Sequence, residues 1–351
     1  MEKRILIAPL NWGLGHASRC IPIIRELKRK GFTPIIASDG EALQLLQYEF
    51  PELEKVTLPS YNITYPGENK NFKIKMLRNL PNIAKAVNTE EKETDRLIKQ
   101  FSINGIISDN RFGVRSKKVP SVIITHQVTL LTGKTTWLSS KLNQRFLNKF
   151  DECWVPDAKY VPNLSGVMGH PKHTGLNLKY IGPLTAMTKQ NLPVKYNIMV
   201  LLSGPEPQRT LLEKKLLLEL KDLKTKVLMV CGKVEKTQQI TRSGPIKIYN
   251  YMTTAQLETA INESNLIICR SGYSTIMDLQ ALEKKAFFIP TPGQYEQEYL
   301  AKQLKKQKQV PSCPQSKFSC TALQNISHYS GLKQLTEKNN FEELFGLFHG
   351  E

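Results

Sequence analysis

The sequence has no long hydrophobic run, and this absence limits where the protein can reside. Nowhere among its 351 residues is there an uninterrupted apolar stretch of the length that a bilayer-spanning helix needs. The first ten residues, MEKRILIAPL, are too short for a secretory signal peptide and lack a small-residue cleavage site. We therefore expect a cytoplasmic protein.

Paired cysteine spacings are also missing. The six cysteines are Cys20, Cys153, Cys231, Cys269, Cys313 and Cys320. They form neither a metal-binding pattern nor a disulfide framework, and cysteines in a cytoplasm stay reduced. The first four lie in apolar contexts and are expected to pack as small hydrophobic side chains. We predict no metal site.

Acidic residues are scarce relative to basic ones. The chain has 31 Asp and Glu against 49 Lys and Arg, a formal net charge of +18 at pH 7. Such an excess attracts polyanions, whether nucleic acid, acidic lipid or a phosphorylated ligand, without selecting among them. The sequence has no aromatic ribonucleoprotein motif, zinc-finger spacing or continuous basic arm. We therefore predict no specific nucleic-acid partner, and a solvated basic surface is the alternative.

What the sequence does contain is an alternation of apolar strands and amphipathic helices. Residues 4–9 predict a buried strand, 17–30 a helix and 32–37 a second strand. Further apolar runs, each ending in polar residues, follow at 105–107, 121–125 and 153–155. This alternation is typical of a parallel sheet with crossover helices, in which ligands lie beyond the carboxyl ends of the strands.

The same pattern restarts in the second half of the chain. The segment YNIMVLLSGPEPQRTLLEKKLLLEL (196–220) again predicts a strand, a glycine–proline loop and a helix. Further strands are predicted at 226–231, 246–249, 266–269 and 286–290. We predict an α/β protein of two Rossmann-like domains, with boundaries at 1–184 and 185–330. Residues 331–351 are expected to form a C-terminal helix or tail that packs back on one domain.

The stretch NWGLGHASRC (11–20) joins the first strand to the first helix. Gly13 and Gly15 let the backbone approach an anion closely at the N-terminus of that helix. The dinucleotide fingerprint has a third glycine where Ser18 stands, so nicotinamide binding is not expected. His16 lies at the end of the loop, where it can transfer a proton. A hydrogen-bonded spacer is the alternative role for His16.

The second domain carries a stronger phosphate-binding signal in LIICRSGYSTIMDL (266–279). After the strand, hydroxyls and backbone donors stand at a helix N-terminus beside Arg270, an arrangement suited to a diphosphate without a metal. The residues concerned are Ser271, Gly272, Ser274 and Thr275. The chain contains no Asp-x-Asp motif to bridge Mg²⁺ to a diphosphate. We therefore expect no cofactor other than a nucleotide-sugar co-substrate.

Acidic and amide side chains follow that turn. Asp278 falls about one turn inside the helix, where its carboxylate can accept hydrogen bonds from a ribose diol. Glu296 and Gln297 follow the next strand and can bind sugar hydroxyls. These residues extend the predicted site from the diphosphate to both sugars of a nucleotide-sugar.

Together, the G-x-G-H loop, GPEPQRT (204–210) and CRSGYSTIMDLQALEKKAFFIP (269–290) with the following Glu-Gln resemble MurG-type, family 28-like glycosyltransferases of the GT-B fold. The resemblance is closest over 196–304, looser over 1–40 and weak from 41 to 185. It implies two Rossmann-like domains whose parallel sheets face each other across a cleft. In that family the C-terminal domain binds a UDP-sugar and the N-terminal domain presents the acceptor.

The resemblance also implies roles for single residues. They are Ser271 and Gly272 at the diphosphate, Ser203, Gly204 and Arg209 on the phosphate side of the second glycine loop, Asp278 at the ribose, Glu296 and Gln297 at the sugar ring, and the backbone of Tyr249, Asn250 and Met252 at the uracil. His16, with Gly13 and Gly15, would face the reacting carbon. Thr125-His126-Gln127-Val128 stands where MurG has His-Glu-Gln-Asn, so a peptidoglycan lipid acceptor is not predicted.

The expected activity is that of an inverting hexosyltransferase. It would move a sugar from a UDP-sugar, with UDP-GlcNAc as one candidate, to an unidentified acceptor that is lipid-linked or part of the envelope. His16, His126 and Asp109 are the candidate bases for the acceptor hydroxyl. The alternative is a UDP-sugar hydrolase or 2-epimerase of the same fold, which keeps the donor pocket.

Two segments, 69–80 and 130–150, mix basic residues with aromatic and aliphatic ones. Such stretches can lie in an anionic membrane surface. Peripheral association with the inner face of the cell membrane is therefore a candidate location. An ordinary amphipathic helix with its apolar side in the core is the alternative for each segment.

Overall fold

A computed structural model divides the chain into two compact units. Unit 1 comprises residues 1–66, 70–185 and 336–351, and unit 2 comprises 67–69 and 186–335. The structure describes residues 3–61, 72–204, 206–233, 235–335 and 340–349, and the side chains of 72–84 lie outside this description. No helix in the described part of the chain is long and apolar enough to cross a membrane.

Unit 1 is built on one parallel sheet. Over the described residues this sheet has seven strands in the order β3-β2-β1-β4-β5-β6-β7. The strands are β1 (Arg4–Pro9), β2 (Thr33–Ser38), β3 (Lys55–Thr57), β4 (Ile103–Asp109), β5 (Ser121–Ile124), β6 (Glu152–Val155) and β7 (Leu178–Tyr180). The α-helices between them are α1 (Leu14–Arg29), α2 (Gly40–Glu49), α3 (Phe72–Phe101) and α4 (Thr136–Leu147).

The register of the central strands positions the loop that follows β1. Ile7 pairs with Ile36 of β2 on one side and with Ile107 of β4 on the other, so β1 is an interior strand of the sheet. Interior strands of parallel sheets are buried on both faces, which explains the continuous apolar run in its sequence. Pro9 pairs with Asp109, the last residue of β4. The glycine loop therefore starts beside the Asp109 carboxylate.

The first helix begins earlier than the sequence predicts. Gly13 adopts φ +80° and turns the chain, so that α1 starts at Leu14 instead of residue 17. Only glycine adopts this conformation without strain. As a consequence, Gly15 and His16 lie in the first turn of α1 and not in a loop.

Unit 2 repeats the layout with one departure. Over its described residues the sheet has six strands in the order β10-β11-β9-β8-β12-β13. They are β8 (Tyr196–Leu201), β9 (Val227–Val230), β10 (Ile240–Ser243), β11 (Ile246–Tyr249), β12 (Ser264–Cys269) and β13 (Lys285–Phe288), with helices α5 (Gln208–Leu220), α6 (Thr254–Asn262), α7 (Tyr273–Ala281) and α8 (Tyr295–Lys306). Strand β10 is antiparallel to β11. All four of its residues are exposed, so its sequence carries no burial pattern.

The C-terminal helix α9 (Phe341–Gly346) packs on unit 1. The ring of Phe345 lies 5.9 Å from Phe32 and 6.4 Å from Trp154, and Phe348 lies 6.3 Å from Trp154, measured between ring centroids. Burial of these aromatic rings stabilises the return of the chain. The expected α/β fold with a C-terminal helix packing back is confirmed.

Candidate active site

His16 and Asp109 form a hydrogen-bonded pair at the carboxyl end of the unit 1 sheet. His16 Nδ1 lies 2.7 Å from Asp109 Oδ1. Asp109 is fully buried at the end of β4, whereas the His16 side chain is 14% exposed. One partner is thus fixed in the protein interior, while the other reaches the surface.

Arg19, one turn after His16 on α1, binds both oxygens of the same carboxylate. Its Nε contacts Oδ2 and its Nη2 contacts Oδ1. Burial on its own would raise the pKa of Asp109, but the charge of Arg19 and the adjacent His16 lower it to about 2. Asp109 is therefore a carboxylate at neutral pH. Both of its oxygens are bonded to Arg19 or His16 inside the protein, so Asp109 is less suited than His16 to take a proton from an acceptor, and its role as the base stays a prediction.

The pairing with Asp109 selects the tautomer of His16. Nδ1 lies 2.7 Å from the carboxylate, which only accepts hydrogen bonds, and 3.0 Å from Arg19 Nη2, which itself bonds that carboxylate. The shorter contact favours the tautomer in which Nδ1 carries the proton and donates it to Asp109. The lone pair of neutral His16 is then on Nε2, and among the described residues Nε2 has no hydrogen-bond partner. This is the orientation that a general base needs.

His126 lies in the same cluster but is oriented differently. Arg19 Nη1 lies 3.2 Å from His126 Nδ1, and only 4% of the residue is exposed. Arginine is always a donor, so His126 Nδ1 accepts this hydrogen bond. The structure brings the three candidate bases His16, Asp109 and His126 together, and His16 is the most exposed of them.

Sequence reasoning missed Arg19, although its spacing of three residues from His16 places both on one helix face. It also missed a second buried network at this edge of the sheet. Arg111 bonds Asp39 and Glu90, and Tyr61 donates to Glu90 over 2.6 Å. These side chains form hydrogen bonds with one another. Apart from their polar character, nothing in the sequence predicts that they are partners.

In unit 2, Gly272 precedes α7 as its N-cap. A Cβ placed at this glycine would meet nothing closer than the Thr275 hydroxyl oxygen at 3.9 Å, so packing within the described residues does not require a glycine. Ser274 and Thr275 lie partly buried in the first turn of α7. Amides and hydroxyls at an accessible helix N-terminus suit an anion.

Ser271 is bonded within unit 2, a contact that the sequence did not predict. Its fully buried hydroxyl donates to the carbonyl of Gln297 over 2.8 Å, and Gln297 Oε1 accepts from the amide of Thr291 over 2.8 Å. Both side chains therefore hold the start of α8 against the turn after β12. The hydrogen of the Ser271 hydroxyl is thus committed within unit 2, and the contact of this residue with a diphosphate stays a prediction. The side-chain nitrogen of Gln297, Nε2, has no hydrogen-bond partner among the described residues.

Arg270 is also bonded within unit 2. It is 1% exposed, and its two terminal nitrogens donate to Ile289 O, Pro290 O, Gln208 O and Gln315 Oε1 at 2.8–3.0 Å. Burial lowers the pKa of Arg270 to about 10, so it stays charged at pH 7. All four hydrogens on these nitrogens are committed within unit 2. Its terminal nitrogens are therefore not available to a diphosphate in this structure, and the predicted contact stays a prediction.

Arg209 is better placed for a phosphate. It follows Gly204, which has φ +96° and no atom within 4 Å of the position that a Cβ would occupy, and Ser203 beside it is exposed. Arg209 Nη1 donates to Gly232 O over 2.5 Å and its Nε to Glu206 over 3.0 Å. Its Nη2 has no partner among the described residues. The guanidinium is thus held in place through Nε and Nη1, while its Nη2 can donate to a ligand.

The segment predicted to contact uracil is mostly committed to the protein. Asn250 bonds Gln239 through both its backbone amide and its side-chain oxygen, and the side-chain nitrogen donates to Glu235. The Tyr249 carbonyl accepts from Cys231 over 2.8 Å. Within the described residues, the amide and carbonyl of Met252 are unpaired. The expected backbone contact is therefore wrong for Asn250, and the structure leaves Met252 available for it.

The remaining predicted residues occupy turns and first helical turns. Asp278 lies partly buried in the second turn of α7, and Glu296 lies partly buried in the first turn of α8. Gly13 and Gly15 belong to unit 1. The structure thus groups the other donor-binding residues in unit 2 and the candidate base in unit 1.

Comparisons with known proteins agree with this layout. Residues 207–343 match the glycosyltransferase family 28 C-terminal domain. The chain is 25% identical over 300 residues to the UDP-N-acetylglucosamine–N-acetylmuramyl-(pentapeptide) pyrophosphoryl-undecaprenol N-acetylglucosamine transferase of Clostridium tetani, covering 83% of this chain and 78% of that protein.

Solved structures show the same fold. MurG of Acinetobacter baumannii superposes with a TM-score of 0.58 at 15% identity, over 100% of both chains. The glycosyltransferase VinC in complex with dTDP superposes with a TM-score of 0.59 at 12% identity, over 99% of this chain and 100% of that chain. The GT-B fold and the resemblance to MurG-type glycosyltransferases are confirmed.

Proposed function

We propose that this chain, a MurG-like hexosyltransferase with the GT-B fold, transfers a sugar from a UDP-sugar to an acceptor hydroxyl with inversion at the anomeric carbon. The observation that carries the proposal is the His16 pair: Nδ1 lies 2.7 Å from a buried, ionised Asp109, and Nε2 is left to accept a proton. Such a pair deprotonates a nucleophile.

In the proposed reaction, His16 Nε2 takes the proton of the acceptor hydroxyl as its oxygen attacks the anomeric carbon. The new carbon–oxygen bond forms on the face opposite the departing nucleotide, and the bond to the β-phosphate breaks. Its electron pair leaves with UDP. Asp109 stabilises the imidazolium that forms, because the two groups are in direct contact.

The leaving diphosphate is proposed to bind at the N-terminus of α7. The open position at Gly272 and the hydroxyls of Ser274 and Thr275 support this assignment, and Arg209 offers an unused guanidinium nitrogen. Since the chain has no Asp-x-Asp motif, we propose that the reaction needs no metal ion. Turnover that persists in excess EDTA is the expected result, and recovery only on adding Mg²⁺ would contradict it.

UDP is the proposed nucleotide and UDP-GlcNAc one candidate donor, because the Clostridium tetani relative is named for UDP-N-acetylglucosamine. The unpaired backbone of Met252, within the described part of unit 2, supports a uracil site. A UDP-sugar hydrolase or 2-epimerase is not favoured, since the similar proteins are glycosyltransferases.

Thermal unfolding with UDP, GDP, dTDP and their sugars tests the donor assignment. We expect UDP to raise the melting temperature more than GDP or dTDP does, because ligands that bind the native state stabilise it. No stabilisation by any of these nucleotides would contradict the proposal. Incubation with UDP-GlcNAc and no acceptor then separates transfer from hydrolysis or epimerisation, which release free sugar or the epimer.

We further propose that α4 lies on an anionic membrane surface. Three large apolar side chains of this helix, Trp137 (72% exposed), Leu138 and Leu142, face outward, whereas its buried face consists of Ser140, Asn143 and Leu147. Exposed basic residues accompany them, at Lys134, Lys141, Arg145 and Lys149. The alternative of an ordinary amphipathic helix accounts for the buried Leu147 but not for the outward Trp137 and Leu138. The 69–80 segment lies outside the described side chains.

Sedimentation with vesicles of phosphatidylglycerol and phosphatidylcholine tests this surface. We expect the protein in the pellet at low salt, and less of it after Trp137→Ser with Leu138→Ser, because apolar insertion and basic residues act together. Leu218→Ser is the matched control, since Leu218 is 65% exposed in unit 2. Equal sedimentation of all three proteins, or none at low salt, would contradict the assignment.

A further inference from the structure

We propose that Arg19 is a positioning residue that keeps His16 neutral and ready to accept a proton. The inference rests on the proposed function of His16 as the base. It assigns to Arg19 the task of neutralising Asp109, so that Asp109 orients the imidazole without holding it in the protonated form.

The geometry around Arg19 is unusual for a structural ion pair. The residue is 2% exposed and binds both oxygens of the buried Asp109 carboxylate. Its Nη2 lies 3.0 Å from His16 Nδ1, and its Nη1 lies 3.2 Å from His126 Nδ1. One guanidinium therefore touches a carboxylate and two histidine rings at the edge of the sheet where His16 is exposed.

The electrostatic consequence follows from the charges. An isolated carboxylate next to an imidazole favours the imidazolium, and a histidine that is already protonated cannot accept a proton. Arg19 and Asp109 together are neutral, so they present a hydrogen-bond acceptor to His16 with little net charge. Arg19 also places a fixed positive charge beside the ring, which opposes protonation.

The other titratable groups in the cluster do not supply this compensation. His126 accepts a hydrogen bond from Arg19 through Nδ1, and the Cys20 thiol lies 3.9 Å from Asp109 Oδ2. Burial, with the nearby Asp109, raises the pKa of Cys20 well above its usual value, so the thiol stays neutral. Among the described residues that face His16 and its carboxylate from α1, β4 and the loop after β5, Arg19 is thus the single permanent cation.

Two variants separate this role from packing. Arg19→Gln keeps hydrogen-bond donors beside Asp109 but removes the charge, and Arg19→Lys keeps the charge without the two-pronged geometry. Arg25→Met is the matched control, because Arg25 is an exposed arginine on the same helix that pairs with Glu49 over 3.3 Å. Arg19→Met is the more severe variant because it removes both the charge and the hydrogen bonds. If Arg19→Met does not fold, Arg19→Gln and Arg19→Lys still separate the role of the charge from that of packing.

The primary measurement is NMR of ¹⁵N-labelled histidine side chains, which is practical because the chain has only six histidines. We expect the His16 ring to titrate at a higher pH in Arg19→Gln than in the wild type, because the cation next to the ring is removed. In Arg19→Lys and Arg25→Met, the titration should stay close to that of the wild type. The acidic limb of UDP release from UDP-GlcNAc should move with the ring titration.

Identical His16 titrations in Arg19→Gln, Arg19→Lys and the wild type would overturn the inference. A purely structural role would lower the melting temperature of both variants without separating their titrations. Failure of the proposed function is distinguishable, because the NMR titration needs no turnover. If UDP neither binds nor is released while Arg19→Gln shifts the ring, the function fails and the positioning role stands.

Discussion

The turn after β1 in unit 1 and the turn after β12 in unit 2 share a layout but use arginine differently. Each joins a buried strand to a helix, contains glycine and has an arginine within a few residues. Arg19 binds a carboxylate at the edge of the sheet, beside the candidate base. Arg270 instead binds three backbone carbonyls and one side-chain amide in the interior of unit 2.

This difference divides the chemistry between the two turns. The first holds ionised groups in contact, which suits proton transfer. The second presents uncharged amides and hydroxyls, which suits an anion that brings its own charge. The comparison also teaches that an arginine beside a turn predicted to bind phosphate can be held by buried carbonyl oxygens instead, because these compete for its hydrogens.

The largest expected effect separates the chemistry of the two turns. His16→Ala should lower turnover by about 10²- to 10⁴-fold, because the general base is lost. UDP affinity should not change, since the proposed nucleotide site is in unit 2. Initial rates and UDP titration measure the two quantities. His173→Ala, an exposed histidine of unit 1, is the control, and near-normal turnover of folded His16→Ala would refute the assignment.

The next effect tests the role assigned to Arg270. Arg270→Met should lower the free energy of unfolding by about 3 kcal/mol, because buried carbonyl oxygens lose their donors. Urea denaturation measures this loss, with the exposed Arg242→Met as control. The folded variant should bind UDP as the wild type does. A stable variant with weakened UDP binding would instead place Arg270 at the phosphate.

Acid should lower the free energy of unfolding, because Asp109 becomes protonated and loses its charged contacts with Arg19. Its pKa is about 2 in the folded protein against an unperturbed value of 3.8, so its contribution is fully present above about pH 4 and is lost as the pH falls toward 2. The loss amounts to about 2 kcal/mol. Urea unfolding between pH 5 and pH 2.5 should show a shallower pH dependence in Asp109→Asn. Parallel curves for the two proteins would contradict the assignment.

The smallest expected effect concerns the space that a nucleotide needs next to the turn after β12. Gly272→Val should fold normally, because a Cβ there meets no atom closer than 3.9 Å, but its side chain would occupy space next to the α7 amides. We expect UDP binding to weaken at least about tenfold, or about 1.4 kcal/mol. Calorimetric titration measures it. Gly175→Val is the control, since a Cβ there also meets nothing within 4 Å, and unchanged UDP affinity in Gly272→Val would remove the turn from the donor site.

Element positions can be predicted wherever burial leaves a pattern. The strand predicted at 246–249 has the observed bounds, and the helix predicted after the first turn lacks only its first three residues. Strand β10 escapes prediction because its four residues are all exposed. The outward orientation of Trp137, Leu138 and Leu142 on α4 could not be predicted, since helical periodicity does not tell which face meets the core.

The partners of polar side chains are less predictable. Ser271 and Asn250 are polar residues near the proposed donor site, as expected, but their hydrogen bonds are made with Gln297 and with the 235–239 segment. These partners lie 11 to 26 residues away along the chain. Hydrogen bonds form between neighbours in space, and spacing in the sequence does not reveal such neighbours.

The sequence by itself determined the two α/β units, the two glycine turns and the presence of His16 at the first of them. Hydrophobic periodicity, the positions of the glycines and the order of the elements can all be read from neighbouring residues in the chain. Only the tertiary structure decided which groups became partners. It set Asp109 and Arg19 against His16 and drew Arg270 into the interior, because the alignment of β4 with β1 and of β12 with β13 brings distant residues within hydrogen-bonding distance.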